Sequence, residues 1–331
     1  MPSFIDGSAL WISFESIANL AIEPRHHNPM SLHTHILGCL LGGAIGDMLG
    51  GPHEHSSGSS ILTPSRHRHR FISDDTQLTL ATCEAIVEEQ LISPAHIAKK
   101  FVSYFQRGQL TGLGASTLKA LRDLSAGAHW ALAGRRGERA AGNGAAMRIA
   151  PLAFCLDSER PDSRTRIRDV CRITHHNEEA YVGALAVVVA IRLAILLPQF
   201  PGRSLLTLTA ASLPDDTGIK ERVLALAALD ADTPIGEVAQ RFGASGYVIE
   251  SVPLALYAAQ HTKQRGLVPV LEQLIAAGGD TDTNAAIAGQ IAGAWLGLEA
   301  IPQALIQQLP NSEGILATSQ AFADWVSGKT R

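Results

Sequence analysis

Residues 278–297 read GGDTDTNAAIAGQIAGAWLG. Within this stretch Gly289, Gly293 and Gly297 recur every fourth residue, and the alanines and isoleucines between them follow a helical period over residues 285–298. Spacing of four places the glycines on one helical face. An interior helical glycine costs about 1 kcal/mol against alanine, so a stripe of them is tolerable only if it lets another backbone come close. The same spacing recurs at Gly38, Gly42, Gly46 and Gly50, in LGCLLGGAIGDMLGG (37–51). Membrane-helix dimers use this pattern too, but both segments are short and Asp47 interrupts the first. We expect two central, tightly packed helices, candidates to face each other, with any chemistry at their ends held on rigid elements.

Helical signals dominate elsewhere, over residues 78–86, 94–107, 115–124, 180–197, 248–259 and 300–309. Aromatic content is only 5%, and period-2 runs of β-branched residues are scarce. The expected class is all-α, with many helices around one core. No composition shift divides residues 36–331, which we take as one domain. Residues 1–35 read as an extension with Pro2, Pro24, Pro29 and His26-His27, and apolar patches at 10–12 and 17–22. Residues 51–70, GPHEHSSGSSILTPSRHRHR, read as a long loop ending in the basic run Arg66-His67-Arg68-His69-Arg70.

A chain of 331 residues, 46% hydrophobic, has material for a substantial core. Lys+Arg 27 against Asp+Glu 31 leaves a net charge of −4. That balance gives no reason to expect nucleic acid or a membrane surface as a partner. Cys39, Cys83, Cys155 and Cys171 are scattered, with no C-x-x-C pair, which suits a reducing compartment. The first residues lack the basic and apolar regions of a secretory leader. The most apolar run, 184–197, reads as a core helix too short to span a bilayer. A soluble, cytoplasmic protein is expected.

Two acidic clusters stand just before helices: Ser73-Asp74-Asp75-Thr76-Gln77 and Gly278-Gly279-Asp280-Thr281-Asp282-Thr283-Asn284. One reading is capping, with Asp74 and Gln77 as a capping box and Asp280 or Asp282 as an N-cap. The other is a metal site. Adjacent carboxylates repel unless a positive charge sits between them, and carboxylate and hydroxyl oxygens are what hard cations prefer. If the clusters meet, they suit a pair of divalent ions about 3.5–4 Å apart. Both readings can hold together.

At these residues the chain resembles the ADP-ribosylglycohydrolase family. Asp74-Asp75-Thr76 and GGDTDTNAAIAGQIAGAWLG look like its two metal-binding signatures. LGCLLGGAIGDMLGGPHE looks like its opening helix, with Gly46-Asp47 and a Glu eight residues after the Gly. AAGNGAAMRIAPLAF looks like its Gly-Asn-Gly loop followed by Met-Arg, and ITHHNEEAYVGALA like its Thr-His segment. The motifs keep the family's order from about Leu37 to Leu298.

The resemblance implies an all-α orthogonal bundle with a binuclear centre of Mg²⁺ or Mn²⁺. It implies Ser73, Asp74 and Asp75 as metal ligands from one side and Asp280, Asp282 and Thr283 from the other, with Asp282 bridging. Ser73 stands where relatives often have Thr and keeps the hydroxyl. Glu54 matches the loop glutamate near the scissile ribose, and with Asp280 and Asp282 it forms the candidate catalytic set. Gly142, Asn143 and Gly144 would meet the pyrophosphate, backed by a helix starting near Ala146, and His175 would line the ADP-ribose groove. Arg148 is a candidate for a phosphate contact or a buried salt bridge, and His176 is expected to face solvent.

The implied function is removal of ADP-ribose from modified protein side chains, with the arginine N-glycoside as first linkage. Some members act as immunity proteins against ADP-ribosyltransferase toxins. The extension at 1–35 is the candidate toxin-binding arm for that second reading. A non-catalytic structural relative fits less well, because the metal ligands are intact. A two-metal phosphohydrolase leaves the Gly-Asn-Gly and Thr-His segments without a role.

Overall fold

The computed structural model describes residues 30–54, 71–197 and 204–329. The apolar patches at 10–12 and 17–22, His55 and the basic run 66–70 lie outside the described residues. The longer helices are α1 (Leu32–Gly50), α2 (Asp74–Glu89), α3 (Pro94–Gln106), α4 (Ala115–Ser125), α5 (Pro161–Arg172) and α6 (Glu178–Leu196). They continue as α7 (Leu205–Ala211), α8 (Gly218–Ala227), α9 (Ile235–Phe242), α10 (Val248–Gln260), α11 (Leu267–Ala276), α12 (Thr281–Leu296) and α13 (Ser312–Lys329). Among the described residues the only sheet is a parallel pair of two-residue strands, β1 (Arg135–Arg136) and β2 (His175–His176). The chain is all-α, as its sequence indicates.

The two glycine stripes do face each other. α1 and α12 run antiparallel at the centre, and a Cβ added at Gly38, Gly42, Gly46 or Gly50 would lie closer than 3.0 Å to backbone of Gly293, Gly289, Ala285 or Thr281 respectively. α6 and α10 pack on α12, while α2 and α13 close against α1. α12 is buried on every side from Thr281 to Trp295, so it shows no amphipathic stripe.

Two helical stretches, Leu32–His53 and Glu178–Leu196, are long and apolar enough to cross a membrane by length and composition. α6, at 19 residues, exceeds the length read from sequence, so length does not exclude a span. Burial assigns the role instead: 78% of each apolar window is covered by the rest of the fold, as in a core helix.

Helix starts follow ordinary capping chemistry. Ser31, Ser93 and Asn177 accept backbone N–H bonds from Thr34, His96 and Ala180. α1 begins at Leu32, so residues 32–35, read as part of the extension, form its first turn. There the buried His35 sets Nδ1 2.6 Å from the Ala294 carbonyl.

One expectation needs correction. The helix read over 300–309 is only the short turns Leu298–Ala300 and Gln303–Ile306, because Pro302 cannot donate into a continuing helix. The long helix of this region is α13, whose core contacts are a narrow stripe of Ile315, Ser319, Phe322, Ala323 and Val326 on a mostly polar helix. So thin a stripe leaves a weak periodic signal.

Candidate metal centre and active site

Antiparallel packing of α1 on α12 brings the last turn of one to the first turn of the other. Thr281 Oγ1 donates to the Gly50 carbonyl at 2.8 Å, closing that junction. The start of α2 is tied to the same place by Asp47. Its carboxylate accepts from the Ser73 N–H at 3.0 Å, from the Thr76 N–H at 3.1 Å and from the Thr76 hydroxyl. The two acidic clusters therefore meet, and Thr283 Oγ1 donates to Asp75 Oδ2 across 3.2 Å.

The clusters are not placed ahead of their helices. Asp74 and Asp75 form the first turn of α2, and Asp282 that of α12. The capping box fails. Ser73 is the N-cap of α2, accepting from the Asp75 N–H at 3.2 Å, while the Gln77 amide bonds Ile72 and Thr111. Asp280 stands at the N-cap position of α12 but makes no capping bond. Its Oδ2 accepts from Asn143 Nδ2 at 2.7 Å. Asp280 is therefore not spent on the helix end.

Oxygens of Asp47, Asp75 and Asp282 lie within 4.8 Å of one another, as do those of Glu54, Asp280 and Asp282. Asp282 is common to both sets, the position a bridging ligand requires. Asp47, Asp74, Asp75 and Asp282 are buried, Asp280 is partly exposed and Glu54 is exposed at the rim. Asp47 was missed by the sequence reading, which treated it as an interruption of the glycine stripe. A carboxylate inside an otherwise apolar helix was the available signal.

The centre fits a cation. Asp75 Oδ1 is buried with no hydrogen-bond partner, in a site where carboxylates crowd together. Burial pushes Asp74 and Asp75 well above the usual carboxylate range, and neighbouring aspartates push them further. Burial also raises Asp47 to about 6 and Asp280 to about 7. Divalent ions would replace the protons these oxygens otherwise need. The hydroxyls of Ser73 and Thr283 both donate to Asp75 Oδ2, Ser73 at 2.9 Å, which sets the rotamer of that carboxylate.

The Gly142–Gly144 turn lies beside Asp280. The Asn143 side-chain amide donates to Asp280 and to Ser251 Oγ at 2.9 Å, so it orients a carboxylate. The helix expected from Ala146 is not formed. A 3-10 turn, Asn143–Ala145, is followed only by the single turn Ala150–Ala153, so no helix N-terminus backs this loop.

Both glycines wrap the His175 ring. A Cβ at Gly144 would lie 2.9 Å from Cε1, and one at Gly142 would lie 3.3 Å from Nε2. His175 is buried, and desolvation holds its pKa down at about 3, so the imidazole is neutral. Its Nδ1 lies 2.7 Å from Thr174 Oγ1, which accepts from Arg148 Nη2 at 2.9 Å.

Arg148 is fully buried and forms no buried salt bridge among the described residues. It donates to the carbonyls of Gly144, Ala145 and Val170 and stacks 5.0 Å over Phe101, with no carboxylate partner among the described residues. His176 is partly buried, with a buried unpartnered Nε2, and so does not simply face solvent.

Residues 28–331 match the model of the ADP-ribosylglycohydrolase family. The chain belongs to that family. Among curated relatives it is similar to the ADP-ribosylhydrolase ARH3 of Mus musculus, at 28% identity over 83% of this chain and 87% of that one. It is also similar to the ADP-ribosyl-[dinitrogen reductase] glycohydrolase of Rhodospirillum rubrum, at 24% identity over 84% and 91%. A solved structure titled ADP-ribosylglycohydrolase-related protein complex matches with TM-score 0.70 at 26% identity, covering 89% of this chain and 99% of that one. As an ADP-ribosylglycohydrolase the chain is an enzyme that hydrolyses glycosidic bonds to ADP-ribose.

The raised carboxylates of this ADP-ribosylglycohydrolase predict a pH dependence. Asp47 and Asp280 move from 3.8 to about 6 and about 7, so the native state favours their protonated forms. Their contribution to stability is complete below the unfolded value and is lost as pH rises through the folded values. With chelator present, the melting temperature should fall between about pH 5 and about pH 8. Added Mg²⁺ should restore it most at the upper end, because cations bind the ionised carboxylates. Melts with and without Mg²⁺ across that range check both signs, and a chelated protein that gains stability with pH would contradict the assignment.

Proposed function

We propose that this ADP-ribosylglycohydrolase is a Mg²⁺- or Mn²⁺-dependent enzyme that removes ADP-ribose from modified protein side chains, with an arginine N-glycoside as the linkage. The observation that carries this reading is a pair of carboxylate sets, Asp47, Asp75 and Asp282 and Glu54, Asp280 and Asp282, which share Asp282, with Asp75 Oδ1 left unsatisfied. Two divalent ions held there, with Asp282 between them, would supply Lewis acidity and orient the ribose hydroxyls. Cleavage at the anomeric carbon develops positive charge on the ribose, which the carboxylate-rich floor favours. Glu54, exposed beside Asp280 and Asp282, is the group best placed to hand a proton to, or take one from, the reacting centre. Asn143 fixes the Asp280 rotamer, and the neutral His175 packs against the Gly142–Gly144 turn.

All four cysteines are free, which supports placing the enzyme in the cytoplasm.

The test is release of ADP-ribose from an arginine-ADP-ribosylated protein, with Mg²⁺ and with chelator, beside an Asp280→Ala/Asp282→Ala variant. Release that requires both the metal and the aspartates is the expected result. Absence of release from arginine, with release from a serine-linked substrate run in parallel, would overturn the linkage and keep the reaction class.

A further inference from the structure

We propose that Arg135 is the cationic partner of the substrate's diphosphate, presented to the cleft by the two-residue strand pair. This rests on the reading that the site takes an ADP-ribosyl group. The register of the parallel pair sets Arg135 opposite His175 and Arg136 opposite His176. Successive strand residues point to opposite faces, and directly paired residues share one. The buried His175 ring lies against Gly142 and Gly144, the turn whose Asn143 bonds Asp280 of the carboxylate centre. Arg135 therefore shares that face, and Arg136 is turned away.

Partners and exposure agree with this placement. Arg135 is half-buried, yet its guanidinium makes no hydrogen bond or ion pair among the described residues. A guanidinium held partly out of water gains from an anionic partner. Arg148, the other arginine acting on His175, is fully buried and spends its Nη groups on carbonyls and Thr174. That Arg135 adds to the depression of the His175 pKa agrees with its closeness to the ring.

The backbone beneath Arg135 is fixed. Its N–H donates to the Thr174 carbonyl at 2.9 Å, and Asn177 Nδ2 holds the Gly137 carbonyl at 3.2 Å. Gly134 packs against the Arg172 carbonyl and His176 with no room for a Cβ.

The electrostatics of the cleft require such a group. The titratable groups of the centre are carboxylates, and an ADP-ribosyl diphosphate brings further negative charge beside them. Bound cations would offset the aspartates, while the diphosphate needs its own donor. A planar guanidinium with several N–H groups matches phosphate oxygens.

The test is calorimetric titration of ADP-ribose into the full chain with Mg²⁺, at low and moderate salt, for wild type, Arg135→Gln, Arg135→Lys and Arg136→Gln. Thermal melts of each variant confirm that it is folded. Arg135→Gln should weaken binding about tenfold and flatten its salt dependence, as for a lost phosphate contact. Arg135→Lys, which keeps the charge and loses the fork, should recover the salt dependence and only part of the affinity, and Arg136→Gln should stay within about twofold of wild type. Unchanged binding in Arg135→Gln would overturn the proposal, and so would an equal loss in Arg136→Gln, which would mean general surface charge. A salt dependence in Arg135→Lys as flat as in Arg135→Gln would also overturn it, because lysine keeps the charge. If wild type itself does not bind ADP-ribose, the functional reading falls and Arg135's role with it.

Discussion

Asp75→Asn should lower ADP-ribose release by about a thousandfold or more while raising the melting temperature of the chelated protein. The two effects have one origin. Asp75 is buried, pushed far above the usual carboxylate range by burial and by Asp282, Asp47 and Asp74, and one of its oxygens has no partner. In the metal-free fold that carboxylate must either hold a proton at a cost or stay charged among like charges. An amide of the same shape removes the problem, and the melting temperature should rise by a few degrees at about pH 8. The same change removes a cation ligand, so added Mg²⁺ should stabilise the variant much less than wild type. Paired melts and activity assays read both arms. A metal-free variant that melts lower than wild type would assign Asp75 a structural role, because functional ligands are the groups a fold carries at a loss.

Gly293→Ala should unfold or severely destabilise the protein, against the sign expected from helix propensity. In an open helix glycine to alanine gains up to about 1 kcal/mol. Here the new Cβ would overlap the Gly38 carbonyl oxygen, which is backbone and cannot rotate away. The helices would have to separate, at a cost of about 3 kcal/mol or more. Gly289→Ala meets the Gly42 carbonyl in the same way. Gly236→Ala in α9 is the matched control: nothing lies within 4 Å of its Cβ position, and a gain of a few tenths of a kcal/mol is expected. Because the carboxylates sit at the ends of α1 and α12, a partly folded Gly289→Ala protein should also lose Mg²⁺ stabilisation. Denaturant melts of the three variants decide the matter, and tolerance of Gly293→Ala would refute the close backbone contact.

Much of this was legible in the residues. The four-residue glycine period belongs to a helix and demands a close neighbour, so two stripes in one chain name each other as partners. Asp74, Asp75, Asp280 and Asp282 were visible because adjacent carboxylates repel and need a reason to be together. Asp47 was harder to see, since a single acid on an apolar helix carries no local pattern. Its role is created by the Ser73 and Thr76 N–H groups that dock on it. α13 was missed because its buried stripe is narrow, and the helix near Ala146 was expected wrongly because Pro151 and the Arg148 contacts break the run into short turns.

The sequence by itself determined the class of fold, the central helix pair and the oxygen-rich ligand chemistry, because periodicity and side-chain chemistry are local properties of the chain. Only the tertiary structure decided that Asp282 is shared by both carboxylate sets, that Asn143 serves Asp280, that Arg148 bonds backbone carbonyls and that Arg135 pairs in register with His175. Those outcomes depend on which residues distant in sequence come within a few ångströms. Helix packing and strand register set such distances, and neither is written in the spacing of any one segment.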